Sequence, residues 1–198
     1  MRRGVYPGTF NPPTIGHLAI VDAAISQHQL DQLDLVLSAA PLGKDTPAVP
    51  TLAHRAGVIE ESLTPRTNVH VLVTELRLIA DIATGYDVVV MGADKWAQVN
   101  DVAFYDDTIA RDAALARLPQ LAIAGRNDFP VPADARLEVP AHIDAVSSSA
   151  ARAGSTEHMT AAARRFDATT GAWTDPRRYR AWLGAQAGRD QHPPETHQ

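Results

Sequence analysis

The chain has 198 residues, a length that suits one domain, or one domain with a small appendage, and that can bury a full core. Hydrophobic residues make up 45% and charged residues 21%, which excludes disorder for most of the chain. A net charge of -5 argues against life on a nucleic-acid backbone, and the lack of cysteine excludes disulfides, thiolate metal sites and thiol redox chemistry.

No apolar run approaches the roughly 20 residues that span a bilayer. The opening MRRGVYPGTF lacks the apolar stretch of a secretory signal. A soluble cytoplasmic protein is expected, with no membrane partner; nothing in the sequence speaks to oligomeric state. Lys44 and Lys95 stand out as the only ammonium side chains in an arginine-rich chain.

Short β-branched runs alternate with longer helical patterns, as expected of βαβ units around a parallel sheet. Arg3 to Tyr6 reads as the first strand, ended by Pro7-Gly8, and a helix follows from near Gly16 to about Gln27 on the spacing of Leu18, Ile20, Val21, Ala24 and Ile25. Asp34 to Ser38 is a second strand, and Ala40 to Thr51, rich in proline, is a loop. A helix over Leu52 to Leu63, a strand over Val69 to Val73 and a helix over Leu76 to Ala83 come next. Asp87 to Met91 is the clearest buried strand and ends in Gly92-Ala93-Asp94. A helix around Asp106 to Leu118, a strand over Gln120 to Ala124 and a Pro-rich stretch to Pro140 follow. Val146 to Arg152 looks like a serine-capped helix start. Residues 1–154 then form the main domain and residues 155–188 a helical extension, with Arg177 to Ala187 its best helix. Residues 189–198 read as a disordered tail.

The stretch from Gly8 to His17 concentrates the chemistry. A glycine turn here leaves a strand and opens a helix, so free backbone N–H groups and the positive end of the helix dipole create an anion site. Gly8 and Gly16 permit close backbone approach, Thr9 and Phe10 continue the turn, and Thr14 and His17 can add donors. Ser147, Ser148 and Ser149 open a later helix with Arg152 as a fork of donors, a second set suited to phosphate. Asp94, beside Gly92 at a strand's carboxyl end, suits ribose hydroxyls or caps the following helix. His54 and Arg55 sit at a helix start against its dipole, which suggests a ligand anion or a carboxylate partner. Arg126 ends the next strand as a further candidate for either substrate. The tail QHPPETHQ is better read as a tail than as a metal site. Nucleophile-elbow, H-E-x-x-H and P-loop patterns are absent.

VYPGTFNPPTIGH resembles the (H/T)xGH signature of the nucleotidyltransferase superfamily and is closest in wording to phosphopantetheine adenylyltransferases. Val146-Ser-Ser-Ser-Ala-Ala-Arg152 is similar to its second signature, I-S-x-(S/T)-x-x-R. Pro41-Leu-Gly-Lys44 with His54-Arg55, and Met91-Gly-Ala-Asp94, resemble nicotinate mononucleotide adenylyltransferases. The resemblance implies a doubly wound, Rossmann-like α/β fold with the site at the carboxyl ends of the first and fourth strands. It implies transfer of a nucleotidyl group, AMP from ATP with Mg²⁺, to a phosphate monoester such as nicotinate or nicotinamide mononucleotide. His17 and Thr14 would meet the triphosphate, Lys44 would bridge the acceptor and reacting phosphates, and Ser147 to Ser149 with Arg152 would hold the β- and γ-phosphates. Phosphopantetheine adenylyl transfer, cytidylyl transfer and a non-catalytic nucleotide-binding protein are the alternatives.

Thr14 stands where the mononucleotide enzymes carry histidine, and Val102 near where they carry a ring-stacking tryptophan. Trp96, Phe104 and Tyr105 are the nearby aromatics, and at least one of them is expected to face the cleft of Thr14, His17 and Asp94.

Overall fold

The computed structural model describes residues 1–40, 49–125 and 129–190. Six strands form one parallel sheet: β1 (Arg3–Pro7), β2 (Gln32–Ser38), β3 (Val69–Thr74), β4 (Val88–Gly92), β5 (Gln120–Ala124) and β6 (Arg136–Leu137). Their order across the sheet is β3-β2-β1-β4-β5-β6. The chain moves outward from β1 to β3, then returns to the other side of β1 and builds outward again. Crossovers therefore leave β1 and β4 in opposite directions, and a crevice opens at the carboxyl ends of this pair.

Helices cover both faces because the strands are apolar on both. Tyr6, Leu33, Leu35, Leu37, Val88 and Val90 point to the side of α1 (Ile15–His28) and α2 (Leu52–Leu63). The alternate residues Val5, Val36, Val89 and Met91 meet Ile82, Val99 and Leu115, from α3 (Ile79–Ile82), α4 (Ala93–Asn100) and α5 (Thr108–Leu115). Two-sided burial is what turns these strands into continuous apolar runs. The one buried carboxylate of β2, Asp34, accepts from Arg3 at 3.1 Å, Gln32 at 2.7 Å and the Tyr86 hydroxyl at 2.7 Å. Burial and that hydrogen bond push the Tyr86 hydroxyl up to about 12.

After α6 (Ser148–Arg152), α7 (Ala161–Thr170) and α8 (Pro176–Asp190) close over the outer side of α2. Val58 of α2, Ala151, Met159, Trp173 and Tyr179 form one cluster there, so the extension shares a core with the rest of the chain.

Several expectations need correction. The helix expected over Leu76 to Ala83 is a single turn, α3, and that expected over Asp106 to Leu118 shortens to α5. Helix α4 went unread because it begins directly on the strand end with Gly92 as N-cap and no side-chain cap to announce it. Helix α7 was hidden in Ala/Arg/Thr-rich sequence, although Thr160 caps its start and Gly171, with φ of 72°, ends it. The Pro-rich stretch before Pro140 contains β6. Residues 189 and 190 belong to α8; the rest of the expected tail lies outside the described residues.

Candidate nucleotide-transfer site

Thr14 is 2% exposed and caps α1 with a reciprocal hydrogen-bond box. The His17 N–H donates to Thr14 Oγ1 at 3.3 Å, and the Thr14 N–H donates to His17 Nδ1 at 2.9 Å. A nitrogen that accepts cannot carry the proton, so this bond assigns the ring proton to Nε2 and makes Nε2 a donor. Thr14 Oγ1 also lies 2.9 Å from Nδ1. The threonine therefore orients the histidine, and its hydroxyl is engaged there. Phe10, at φ of 43° and 2% exposed, presents its ring edge-on to His17 with centroids 5.0 Å apart. That ring stands over Gly8, where a Cβ would come within 2.8 Å of it, so residue 8 has to be glycine.

The turn from Gly8 to Thr14 is held by its carbonyls from outside. Arg55 Nη1 donates to Thr9 O at 3.0 Å, Ser148 Oγ to Pro12 O at 2.8 Å and the Thr160 N–H to Pro13 O at 3.1 Å. Arg152 Nη1 donates to Asn11 O, and Trp173 Nε1 to the Asn11 side-chain carbonyl at 2.7 Å. Each such bond offsets the partial negative charge of an oxygen that would repel a phosphate. Residues from α2, α6, the start of α7 and the turn before α8 thus fix one loop.

Arg55 is fully buried, and its expected anion or carboxylate partner is instead the Thr9 carbonyl. Burial holds its guanidinium below its ordinary value, and its Nε has no hydrogen-bond partner. Neighbouring His54 packs among Phe166, Tyr179 and Trp182, with Nδ1 at 2.5 Å from the Tyr179 hydroxyl. Burial lowers its pKa and keeps it neutral.

A cleft of about 460 Å³ opens at the ends of β1 and β4. Its walls bring together every described residue singled out for phosphate or ribose: Gly8, Thr9, Phe10, Thr14, Gly16, His17, Gly92, Asp94, Ser147, Ser148, Ser149 and Arg152. Gly16 lets this happen, since a Cβ there would stand 3.2 Å from both Ile143 and Val146, the segment that delivers the serines. Ser147 caps α6 by accepting from the Ala150 N–H at 2.9 Å, and Ser149 Oγ accepts from Arg152 at 3.3 Å. Asp94 is exposed in the first turn of α4, which Gly92 caps, so the capping alternative for Asp94 falls away. Lys44 and Arg126 lie outside the described residues.

A second, narrower and more apolar pocket adjoins the first and shares Pro7, Gly8, Thr9 and Lys95 with it. Phe104 and Tyr105 line this pocket together with Ser38, Arg77 and Gln98. The aromatic expectation is corrected accordingly: the rings face this neighbouring pocket and not the cleft of Thr14, His17 and Asp94. Trp96 packs into the core beside Val99 and Met91. The Tyr105 hydroxyl donates to Val99 O at 2.8 Å, and burial raises its pKa. Sequence reasoning missed Lys95, Arg77 and Gln98 in this pocket; for Lys95 the scarcity of lysine was the available signal.

The cytidylyltransferase-like family model matches residues 5–153. A search of curated proteins gives no match. Among solved structures, the nicotinic acid mononucleotide adenylyltransferase of Plasmodium falciparum, complexed with NaAD, superimposes with a TM-score of 0.62 at 11% identity, covering 87% of this chain and 97% of that one. At that identity the likeness speaks to the fold, a Rossmann-like sheet with added C-terminal helices. The family match spans most of the chain, both signatures included. The chain belongs to the cytidylyltransferase-like family and is a member of the nucleotidyltransferase superfamily.

Proposed function

We propose that this protein transfers AMP from ATP to the phosphate of a nicotinate or nicotinamide mononucleotide, giving a dinucleotide and pyrophosphate. The observation that carries this reading is the pair of adjoining spaces at the sheet's switch point. One is polar and lined by both signature motifs, the other is apolar and lined by two aromatic rings, and they meet at Gly8 and Thr9. The triphosphate belongs in the first and the acceptor's ring in the second, where stacking adds about 0.5–1.5 kcal/mol beyond area burial.

In the reaction an acceptor phosphate oxygen attacks the α-phosphorus in line as the bond to the β-phosphate oxygen breaks, and pyrophosphate leaves. No covalent enzyme intermediate is needed, because positioning and charge stabilisation suffice. His17 Nε2 donates to an α-phosphate oxygen; Arg152 and the Ser147 to Ser149 segment hold the departing phosphates. Asp94 takes the ribose hydroxyls, and Lys44 spans the acceptor and reacting phosphates. ATP enters as its magnesium complex, with the metal shielding the triphosphate; among the described residues no three His, Cys, Asp or Glu side chains gather to hold a metal.

Pyrophosphate release, followed with ATP or CTP against a panel of nicotinate mononucleotide, nicotinamide mononucleotide and phosphopantetheine, tests the reading. Release with ATP and a pyridine mononucleotide is expected. Preference for CTP or for phosphopantetheine would reassign a substrate, and nucleotide binding without release from any pair would refute transfer.

A further inference from the structure

Among the described residues, the boundary between the two spaces is made of Pro7, Gly8, Thr9 and Lys95, and Lys95 is the charged one of these four. Two polyanions that react with each other must bring their phosphates to this boundary, and their mutual repulsion has to be offset there by a cation. Lys95 sits in the first turn of α4, where a positive side chain opposes its own helix dipole. That placement costs the helix a little stability and gains from an anion at the same point. Its ammonium donates to Gln98 Oε1, one turn further along α4, and Gln98 lines the aromatic pocket but not the phosphate cleft. The ammonium is thereby held on the acceptor's side of the boundary.

Resting on the nucleotidyl-transfer reading, we propose that Lys95 is a catalytic residue: it binds the acceptor's phosphate and holds it against the α-phosphorus. As the acceptor oxygen bonds to the α-phosphorus and the bond to the β-phosphate oxygen breaks, the acceptor phosphate becomes one half of the new diphosphate. Lys95 takes no part in proton transfer and offsets charge as the two phosphates close on each other. Lys95 is anchored on helix α4.

The test compares wild type with Lys95→Met and Lys95→Arg in three readouts: pyrophosphate release, thermal midpoint, and calorimetric binding of nicotinamide mononucleotide against its dephosphorylated nucleoside. Lys95→Met is expected to lower kcat/KM for the acceptor by about 10²-fold, the scale for loss of one preorganised charge-stabilising group, while KM for ATP changes less than about 3-fold. The same variant should lose most of the wild type's preference for the mononucleotide over the nucleoside, and its thermal midpoint should not fall. Lys95→Arg should recover at least about a tenth of the lost activity, as charge returns with altered geometry. An active wild type whose Lys95→Met variant keeps its kcat/KM and its preference for the phosphorylated ligand overturns the role of Lys95 and leaves the transfer reading standing. A wild type silent with every acceptor overturns both.

Discussion

His17 illustrates how a single residue acquires its role from a neighbour's backbone. The Thr14 N–H occupies Nδ1, so the ring can offer only an N–H from Nε2. His17→Ala is expected to lower turnover by about 10²–10³-fold, with circular dichroism unchanged, because one preorganised donor is lost at a helix start and not in the core. Near-wild-type turnover would remove His17 from the reaction. Lys44 should show a different signature. If it acts mainly in the transition state, Lys44→Ala lowers kcat more than it raises KM for ATP, and the reverse pattern would restrict it to ground-state binding. The residues proposed to hold phosphate were legible because they lie within two short sequence windows. The contacts of Arg55 to Thr9 and of Trp173 to Asn11 were not, since they join residues 46 and 162 positions apart.

At the scale of elements, the helices after α6 hold the turn from Gly8 to Thr14. Trp173 donates to the Asn11 side chain, and the Asp167 carboxylate fixes Trp173 by accepting its N–H at 2.7 Å. Trp173→Phe keeps an aromatic ring but loses the donor and part of the buried indole, so stability should fall by roughly 1–3 kcal/mol. Turnover should fall further than that loss implies, because the backbone carbonyl of the same Asn11 accepts from Arg152. A double-mutant cycle with Asn11→Ala checks this: additive effects on kcat would show that the bond does nothing for the reaction.

His54 couples the same helices to pH. Its folded pKa is lowered by burial, so the unfolded chain binds the proton more readily. Stability is full above about pH 6.5 and falls as pH drops below it toward the folded pKa. His28, also lowered, acts in the same window. The decisive comparison is therefore the urea midpoint of wild type and His54→Gln at about pH 7.5 and about pH 5.5, where the variant should lose less on acidification. Equal losses would dismiss His54 as a source of the effect. Strands β1 to β5 were read within a residue or two because they are written as apolar runs, whereas the two-residue β6 is too short to leave a pattern. Helices α4 and α7 were missed, the one for want of a loop or cap ahead of it and the other for want of a strong apolar stripe.

Across the whole molecule, the sheet order places the switch point between β1 and β4, and both signatures arrive there from opposite ends of the segment that matches the family, residues 5–153. The sequence boundary at residue 154 follows the motifs, whereas packing runs across it: Val58 and Ala151 are covered by Met159, Trp173 and Tyr179. A chain ending at residue 154 should consequently lose cooperative thermal unfolding along with activity; a folded, active fragment would show that the extension is dispensable. The aromatic pocket proposed for the acceptor was the least legible feature, because it draws on β1, β2, α3, α4 and the turn after α4, with no local pattern to mark it.

The central claim is that a nucleotidyl group passes from one space to the other across their shared wall. Phosphorus NMR of a reaction with ATP and a pyridine mononucleotide addresses it directly, since the bonds formed are read from the product. The account predicts free pyrophosphate and a new diphosphate joining AMP to the acceptor's phosphate. ADP formed by transfer of the terminal phosphate, or AMP and pyrophosphate with the acceptor unchanged, would contradict it.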